Sequence, residues 1–244
     1  MKIDVVMITK NSMFPCLRES VESIFNNIPV NRLIVIDAFS KDGTVELLEE
    51  YKRKGLNIEI HQFPYKRGKA REAGIKLVRT PWFAFVDSDV ILAKNWFNEI
   101  KGYIKPRIGA IEGPVSKQKI DPRGRAYTNC TLIKTSLVKD LKIPEEMTVF
   151  EDQYIRKHIE KKGYIWLKAP SPCSIHKSQS NRTKESFEVG RMAGKYGLFP
   201  LWKDLLVCFL IPIKYLKYGD SPMIYLNKLR GHLKGILERS EVLK

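Results

Sequence analysis

The chain predicts an α/β fold: a mostly parallel sheet flanked by helices. Two observations carry this expectation. Short runs of apolar, β-branched and aromatic residues alternate with longer amphipathic runs over the first ninety residues, a β-α-β-α rhythm whose crossover helices make successive strands parallel. With 244 residues, 43% of them hydrophobic, the chain can also bury a sizeable core, either as one α/β domain or as a domain with an appendage.

The elements follow in order. Ile3 to Thr9 reads as the first strand, and Leu17, Val21, Ile24, Phe25 and Ile28 mark one face of a helix. Leu33 to Ile36 forms the next strand and delivers Asp37, after which Val45, Leu47, Leu48 and Tyr51 line a charged helix that stops before Gly55. Asn57 to Phe63 gives a third strand, Ala70, Ala73, Leu77 and Val78 a third helical face, and Phe83 to Val86 a fourth strand. The rhythm then changes. Trp96 and Ile100 fit a short helix, Ile108 to Val115 a strand, and Tyr127 to Thr135 a strand-like stretch after the loop Asp121-Pro122-Arg123-Gly124. Phe150, Tyr154, Ile155 and Ile159 mark a helix before a strand from Tyr164 to Leu167.

Residues 1–180 are expected to form the catalytic-type domain and 181–244 a basic amphipathic helical tail. The apolar run Leu205 to Ile211, closed by Pro212, is too short to span a bilayer, which needs about 20 apolar residues. Met223, Ile224, Leu226, Leu229, Leu233, Ile236 and Leu237 share a helical stripe, with Lys228, Arg230 and Lys234 on other faces. Trp202, Lys203, Lys214, Tyr215, Lys217 and Tyr218 surround the apolar run as in an element lying in a membrane interface. Packing on protein is the alternative. Gly231 and Gly235 have GxxxG spacing, a weak sign of helix packing in a basic helix.

The formal charge of +16 implies a surface that seeks anions: nucleic acid, lipid headgroups or phosphorylated small molecules. Cys16, Cys130, Cys173 and Cys208 form no CxxC pair, so they read as reduced core residues rather than a zinc site or disulfide framework. The start Met1-Lys2-Ile3-Asp4 enters a strand at once and carries no secretory signal. The expected location is the cytoplasmic side of the cell membrane, peripheral or monotopic.

Candidate chemistry gathers at the strand ends, which a parallel sheet brings to one edge. Thr9, Asn11 and Ser12 close the first strand, Asp37 the second, and Asp87 and Asp89 the fourth, while Lys66, Arg67, Gly68, Lys69 and Arg71 follow the third. Two acids one residue apart at a strand end can reach one hard divalent cation. They can equally serve a polar turn. Acids for a cation and bases for phosphate suggest a nucleotide diphosphate held partly through metal, with Asp37 accepting from base or ribose and Arg71 approaching phosphate or base. His176 near Asp89 would complete a metal site. Glu151 and Asp152 open a helix, where they either favour its positive end or supply a general base. Neither a dinucleotide fingerprint nor a GxxxxGK[ST] loop follows the first strand, which disfavours oxidoreductases and P-loop NTPases.

Together these segments resemble family-two glycosyltransferases of the GT-A fold. The carriers are Val6-Met7-Ile8-Thr9-Lys10-Asn11, Asp37-Ala38-Phe39-Ser40-Lys41-Asp42-Gly43-Thr44, Arg67-Gly68-Lys69-Ala70-Arg71-Glu72-Ala73-Gly74, the Asp-X-Asp motif Asp87-Ser88-Asp89, and Glu151-Asp152 followed by Arg156. The resemblance implies metal-dependent, inverting transfer of a single sugar from a nucleotide-diphosphate sugar, with Mg²⁺ or Mn²⁺ as cofactor. Thr9, Asn11, Asp37, Arg67, Arg71 and Asp87 would hold the donor, Asp87, Asp89 and His176 the metal, and Asp152 would be the catalytic base. The acceptor would be a saccharide hydroxyl or a polyprenyl-type lipid phosphate. Ala38-Phe39 stands where many members have Asp-Gly, and no QxxRW segment follows His176, which disfavours processive synthesis. A nucleotidyltransferase releasing pyrophosphate is the alternative enzyme. A basic nucleic-acid binder is a further one, without a recognised motif to support it.

Overall fold

The computed structural model describes residues 1–116, 124–177, 186–209 and 221–242. The Asp121 to Arg123 part of the expected loop lies outside them, as do Leu210, Ile211, Pro212, Lys214, Tyr215, Lys217 and Tyr218. The described residues group into two compact units, the second holding Arg125, Val149–Tyr154 and the C-terminal helices.

The first unit contains β1 (Ile3–Thr9), α1 (Leu17–Asn27), β2 (Val30–Asp37), α2 (Thr44–Arg53), β3 (Ile58–Gln62), α3 (Arg67–Leu77), β4 (Trp82–Val86), β5 (Val90–Ile91), α4 (Trp96–Lys101), β6 (Ile108–Glu112), β7 (Cys130–Lys134), most of α5 (Glu151–Lys161), β8 (Ile165–Lys168) and β9 (Ile175–His176). Seven strands form one sheet in the order β3-β2-β1-β4-β7-β6-β8, and β5 pairs with β9 in a second, two-stranded sheet. The first four strands are parallel, as their alternation with helices predicts. β7 runs antiparallel to both β4 and β6.

β1, β4 and β6 are almost wholly buried, which explains why they read as continuous apolar runs rather than alternating ones. Register fixes the site. Thr9 pairs with Asp37 and Asp37 with Gln62, so three polar side chains fall in one row at the carboxyl edge. Opposite them, Asp4 and Arg32 form a buried ion pair at 2.7 Å, extended by Glu59 at 3.0 Å. Lys139 donates to the carbonyls of Ile75, Lys76 and Val78 and so caps the end of α3.

The second unit contains α6 (Ser186–Lys195), α7 (Leu201–Phe209) and α8 (Pro222–Val242). α6 and α8 approach through glycine on both sides. A Cβ on Gly190 or Gly194 would collide with the backbone of Lys228 or His232, and one on Gly231 or Gly235 with the backbone of Phe187 or Arg191. Thus the GxxxG spacing of Gly231 and Gly235 is a packing motif, answered by the same spacing in α6. His232 on this glycine face is buried and pairs with Asp204 of α7. Arg191 joins Glu188 and Glu238, each at 2.7 Å. The apolar stripe of α8 mostly faces outward: Met223, Leu226, Leu233, Ile236 and Leu237 are exposed, whereas Ile224 is buried. Among the described residues no helix is long and apolar enough to cross a membrane.

All four cysteines are free, but only Cys16 and Cys130 are buried; Cys173 is exposed and Cys208 half-buried. The core expectation therefore fails for Cys173, which lies exposed in the irregular segment before β9.

Candidate functional site

Asp37 is the hub of the first half of the edge. Its Oδ1 accepts from the Thr9 hydroxyl at 2.7 Å and the Ser40 hydroxyl at 2.5 Å, and its Oδ2 accepts from the Ser40 amide at 2.9 Å and the Gln62 carboxamide at 3.1 Å. Burial pushes this carboxyl up, but the donors from Ser40, Gln62 and Thr9 more than offset that and hold it below the usual range. Its acceptor positions are filled by protein donors and its surface is fully buried. In the structure Asp37 therefore ties the ends of β1 and β3 to the loop that carries Ser40.

Asn11 and Asp42 tie two loops together. Asn11, in the left-handed region at φ 49°, donates its amide to Ser40 Oγ at 2.8 Å and accepts the Lys41 amide on Oδ1 at 2.9 Å. Asp42 accepts the Met13 amide at 2.9 Å and the Thr44 hydroxyl at 2.6 Å. Exposed Phe39, also left-handed at φ 54°, projects from the same loop. At the end of β3, the rings of His61, Phe63 and Tyr65 stack in sequence, with centroids 6.4 Å and 5.1 Å apart.

Arg67 begins α3 and is exposed. Gly68, next to it, packs against Met147 and Ile143 so closely that a Cβ would lie 2.6 Å from the Met147 carbonyl oxygen. That glycine explains how the helix start sits flush on the loop. Lys69 is engaged by Glu72 at 2.9 Å and Glu145 at 3.5 Å, leaving it a structural cation rather than an open anion site.

The Asp-X-Asp pair follows β4. The Asp87 amide donates to Asn129 and continues the ladder with β7 by one step. Buried Arg71 donates to Asp87 Oδ1 at 2.9 Å and lies over the Phe85 ring at 5.0 Å. Arg71 was expected to approach phosphate or base. In the structure its guanidinium holds Asp87, the first acid of the pair.

Asp89 and His176 meet as expected, with His176 Nε2 3.2 Å from Asp89 Oδ2. The small antiparallel ladder sets this contact by pairing Val90 with His176, and the Lys177 amide donates to the Asp89 carbonyl at 2.9 Å. The hydrogen bond to Asp89 raises the His176 pKa against the opposing effect of burial. Asp89 and His176 supply an oxygen and a nitrogen, a donor set that fits a divalent cation. Among the described residues no three His, Cys, Asp or Glu side chains form a complete cage.

Asp152 is buried in the first turn of α5, in the second unit. Its Oδ2 lies 3.3 Å from Arg125 Nη2, and its Oδ1 accepts the Gln153 amide at 2.7 Å. Arg125 stacks on the Phe150 ring at 4.4 Å, and Phe150 meets Phe199 edge-on. Sequence reasoning missed Arg125, as it did Ser40 and Gln62. The Asp-x-x-Ser spacing offered a local signal for Ser40, but Gln62 depends on strand register and Arg125 on tertiary folding.

The pattern of the family described as "Glycosyl transferase family 2" matches residues 4–157. The chain belongs to that family. No similar sequence was found among curated proteins. Of the solved structures, the mannosyltransferase PcManGT from Pyrobaculum calidifontis, in complex with GDP-Man and Mn²⁺, superposes with a TM-score of 0.72 at 13% identity, covering 98% of this chain and 88% of that one. TarS from S. aureus gives 0.62 at 20% identity, covering 88% of this chain and 44% of that one. Glucosyl-3-phosphoglycerate synthase from Mycobacterium tuberculosis, with Mn²⁺, UDP and phosphoglyceric acid, gives 0.59 at 15% identity, covering 80% and 75%. These likenesses establish a GT-A-like fold for this glycosyltransferase.

Proposed function

We propose that this glycosyltransferase moves a single sugar, with inversion, from a nucleotide-diphosphate sugar to an acceptor hydroxyl or a lipid phosphate. The observation that carries the reading is the convergence of Asp87 and Asp89 with Arg71 and His176 at the end of β4. The Mn²⁺ complexes of the mannosyltransferase and the phosphoglycerate synthase support the same donor chemistry.

Asp89 and His176 would hold Mg²⁺ or Mn²⁺, with Asp87 beside them. When bound, the cation supplies charge neutralisation for the departing diphosphate. Arg71 fixes Asp87, and the Thr9-Asp37-Ser40-Gln62 cluster holds the strand edge together. Arg67, exposed at the start of α3, would donate to phosphate oxygens of the donor. In the displacement, the acceptor oxygen forms a bond to the anomeric carbon as the bond to diphosphate breaks, and the nucleoside diphosphate leaves with that electron pair. Asp152 takes the proton of a hydroxyl acceptor. An ionised lipid phosphate has no such proton to give.

The decisive experiment incubates purified protein with Mn²⁺ and a panel of nucleotide sugars, with membrane extract as acceptor source. Release of nucleoside diphosphate and labelled glycoside, lost in Asp89→Ala, is expected. Release of pyrophosphate, or full activity in Asp89→Ala, would overturn the reading. With a hydroxyl acceptor, Asp152→Asn is expected to lower kcat by about 10²- to 10⁴-fold; an unchanged kcat would remove Asp152 from the mechanism.

A further inference from the structure

We propose that the helical unit docks on an anionic lipid bilayer through the outward faces of α7 and α8. The proposal is independent of the sugar and the acceptor, because it concerns how these two helices meet their surroundings.

α8 has two distinct sides. Its glycine side, Gly231, His232 and Gly235, is occupied by α6 and by Asp204. On the other side Met223, Leu226, Leu233 and Leu237 are between 43% and 64% exposed. The spacing of those four residues puts them on one helical stripe. Close backbone packing on glycine therefore frees the large apolar residues, which a conventional buried helix would have turned inward. Contrary to the sequence expectation that they occupy other faces, exposed Arg230 lies within the stripe and exposed Lys234 at its border.

α7 repeats the arrangement over a shorter length. Asp204 faces inward to His232, while Trp202, Leu205 and Leu206, at i, i+3 and i+4, are exposed. Lys203 holds its ammonium over the Trp202 ring at 5.7 Å from the centroid. An apolar face with embedded cations and a tryptophan matches the boundary between acyl chains and anionic headgroups. Charge chooses this occupant over a second copy of the chain. An isologous dimer through the stripe would enclose Arg230 and Lys234 of both copies in one apolar interface, whereas anionic headgroups neutralise them.

Trp202 gives a direct readout because the other three tryptophans, Trp82, Trp96 and Trp166, are buried. Full-length protein is mixed with phosphatidylcholine vesicles, with or without phosphatidylglycerol, and followed by co-sedimentation and emission. Binding with a blue-shifted, bromolipid-quenched Trp202 signal is expected on the anionic vesicles and should weaken with salt. Leu226→Gln/Leu233→Gln should lower the partition constant at least about tenfold. Arg230→Gln/Lys234→Gln should lower it about fivefold per charge on anionic vesicles alone. Because all four side chains are exposed, the thermal midpoint should hold. If the leucine pair lowers that midpoint, the charge pair decides. Protein that stays in solution with unshifted emission overturns the proposal, as does equal vesicle binding by folded variants. A lipid-free dimer dissolved by the leucine substitutions would overturn it in favour of a second copy.

Discussion

Replacing Arg71 with methionine keeps much of the side-chain length and removes the charge that holds Asp87. The Arg71 side chain is 5% exposed and that of Asp87 21%, with 2.9 Å between Nη2 and Oδ1. Breaking a fully buried pair by deleting one partner costs about 3–5 kcal/mol. Water reaching the partly exposed carboxylate reduces that to about 2–3 kcal/mol, and loss of the stacking on Phe85 adds about 0.5–1 kcal/mol. The total of about 3 kcal/mol corresponds to a melting shift of roughly 6–12 °C for a domain of this size. Urea unfolding of Arg71→Met, Asp87→Asn and the double variant forms a cycle, with an expected coupling of about 2 kcal/mol. The same cycle on kcat/KM should also be non-additive, because Arg71 acts through Asp87. Additivity within about 0.5 kcal/mol in both measurements would refute that connection.

Gly194→Ala should destabilise the helical unit by about 1–3 kcal/mol, since the methyl group collides with the His232 backbone; urea unfolding reads this, and a neutral result would contradict the glycine packing. At Asp4, burial raises the pKa, but Arg32, the Arg79 amide and Asn31 lower it further, leaving it below its ordinary value. Its contribution should be complete above the unfolded pKa of about 3.9 and disappear as pH falls through the lower folded value. In Asp4→Asn, this part of the acid limb should flatten in urea titrations across pH. Lys139→Met should lower stability by about 1–2 kcal/mol by removing the ammonium that the carbonyls of Ile75, Lys76 and Val78 share, measured by thermal unfolding.

The first four strands were legible because each is a local apolar run bounded by polar turns, and their alternation with helices set their direction. β7 was harder. Its residues announce a strand, but its antiparallel course depends on nonlocal pairing with β4 and β6. Asp89 and His176 were recognised separately, yet only the β5–β9 register brings them together. In α8, hydropathy marked the leucine stripe correctly but gave no direction. Glycines decided that direction through close backbone approach, an effect to which hydropathy is blind, and Gly190 and Gly194 carried half the signal unnoticed.

The ladder that presents His176 is only two residue pairs long, Val90 with His176 and Ile91 with Ile175. Slipping it by a single position would turn the imidazole to the opposite face and separate it from Asp89. By contrast, added or lost residues within loops of the long intervening segment can leave these partners aligned. The contact between His176 and Asp89 is thus set by two local residue pairs and not by the length of the chain between them.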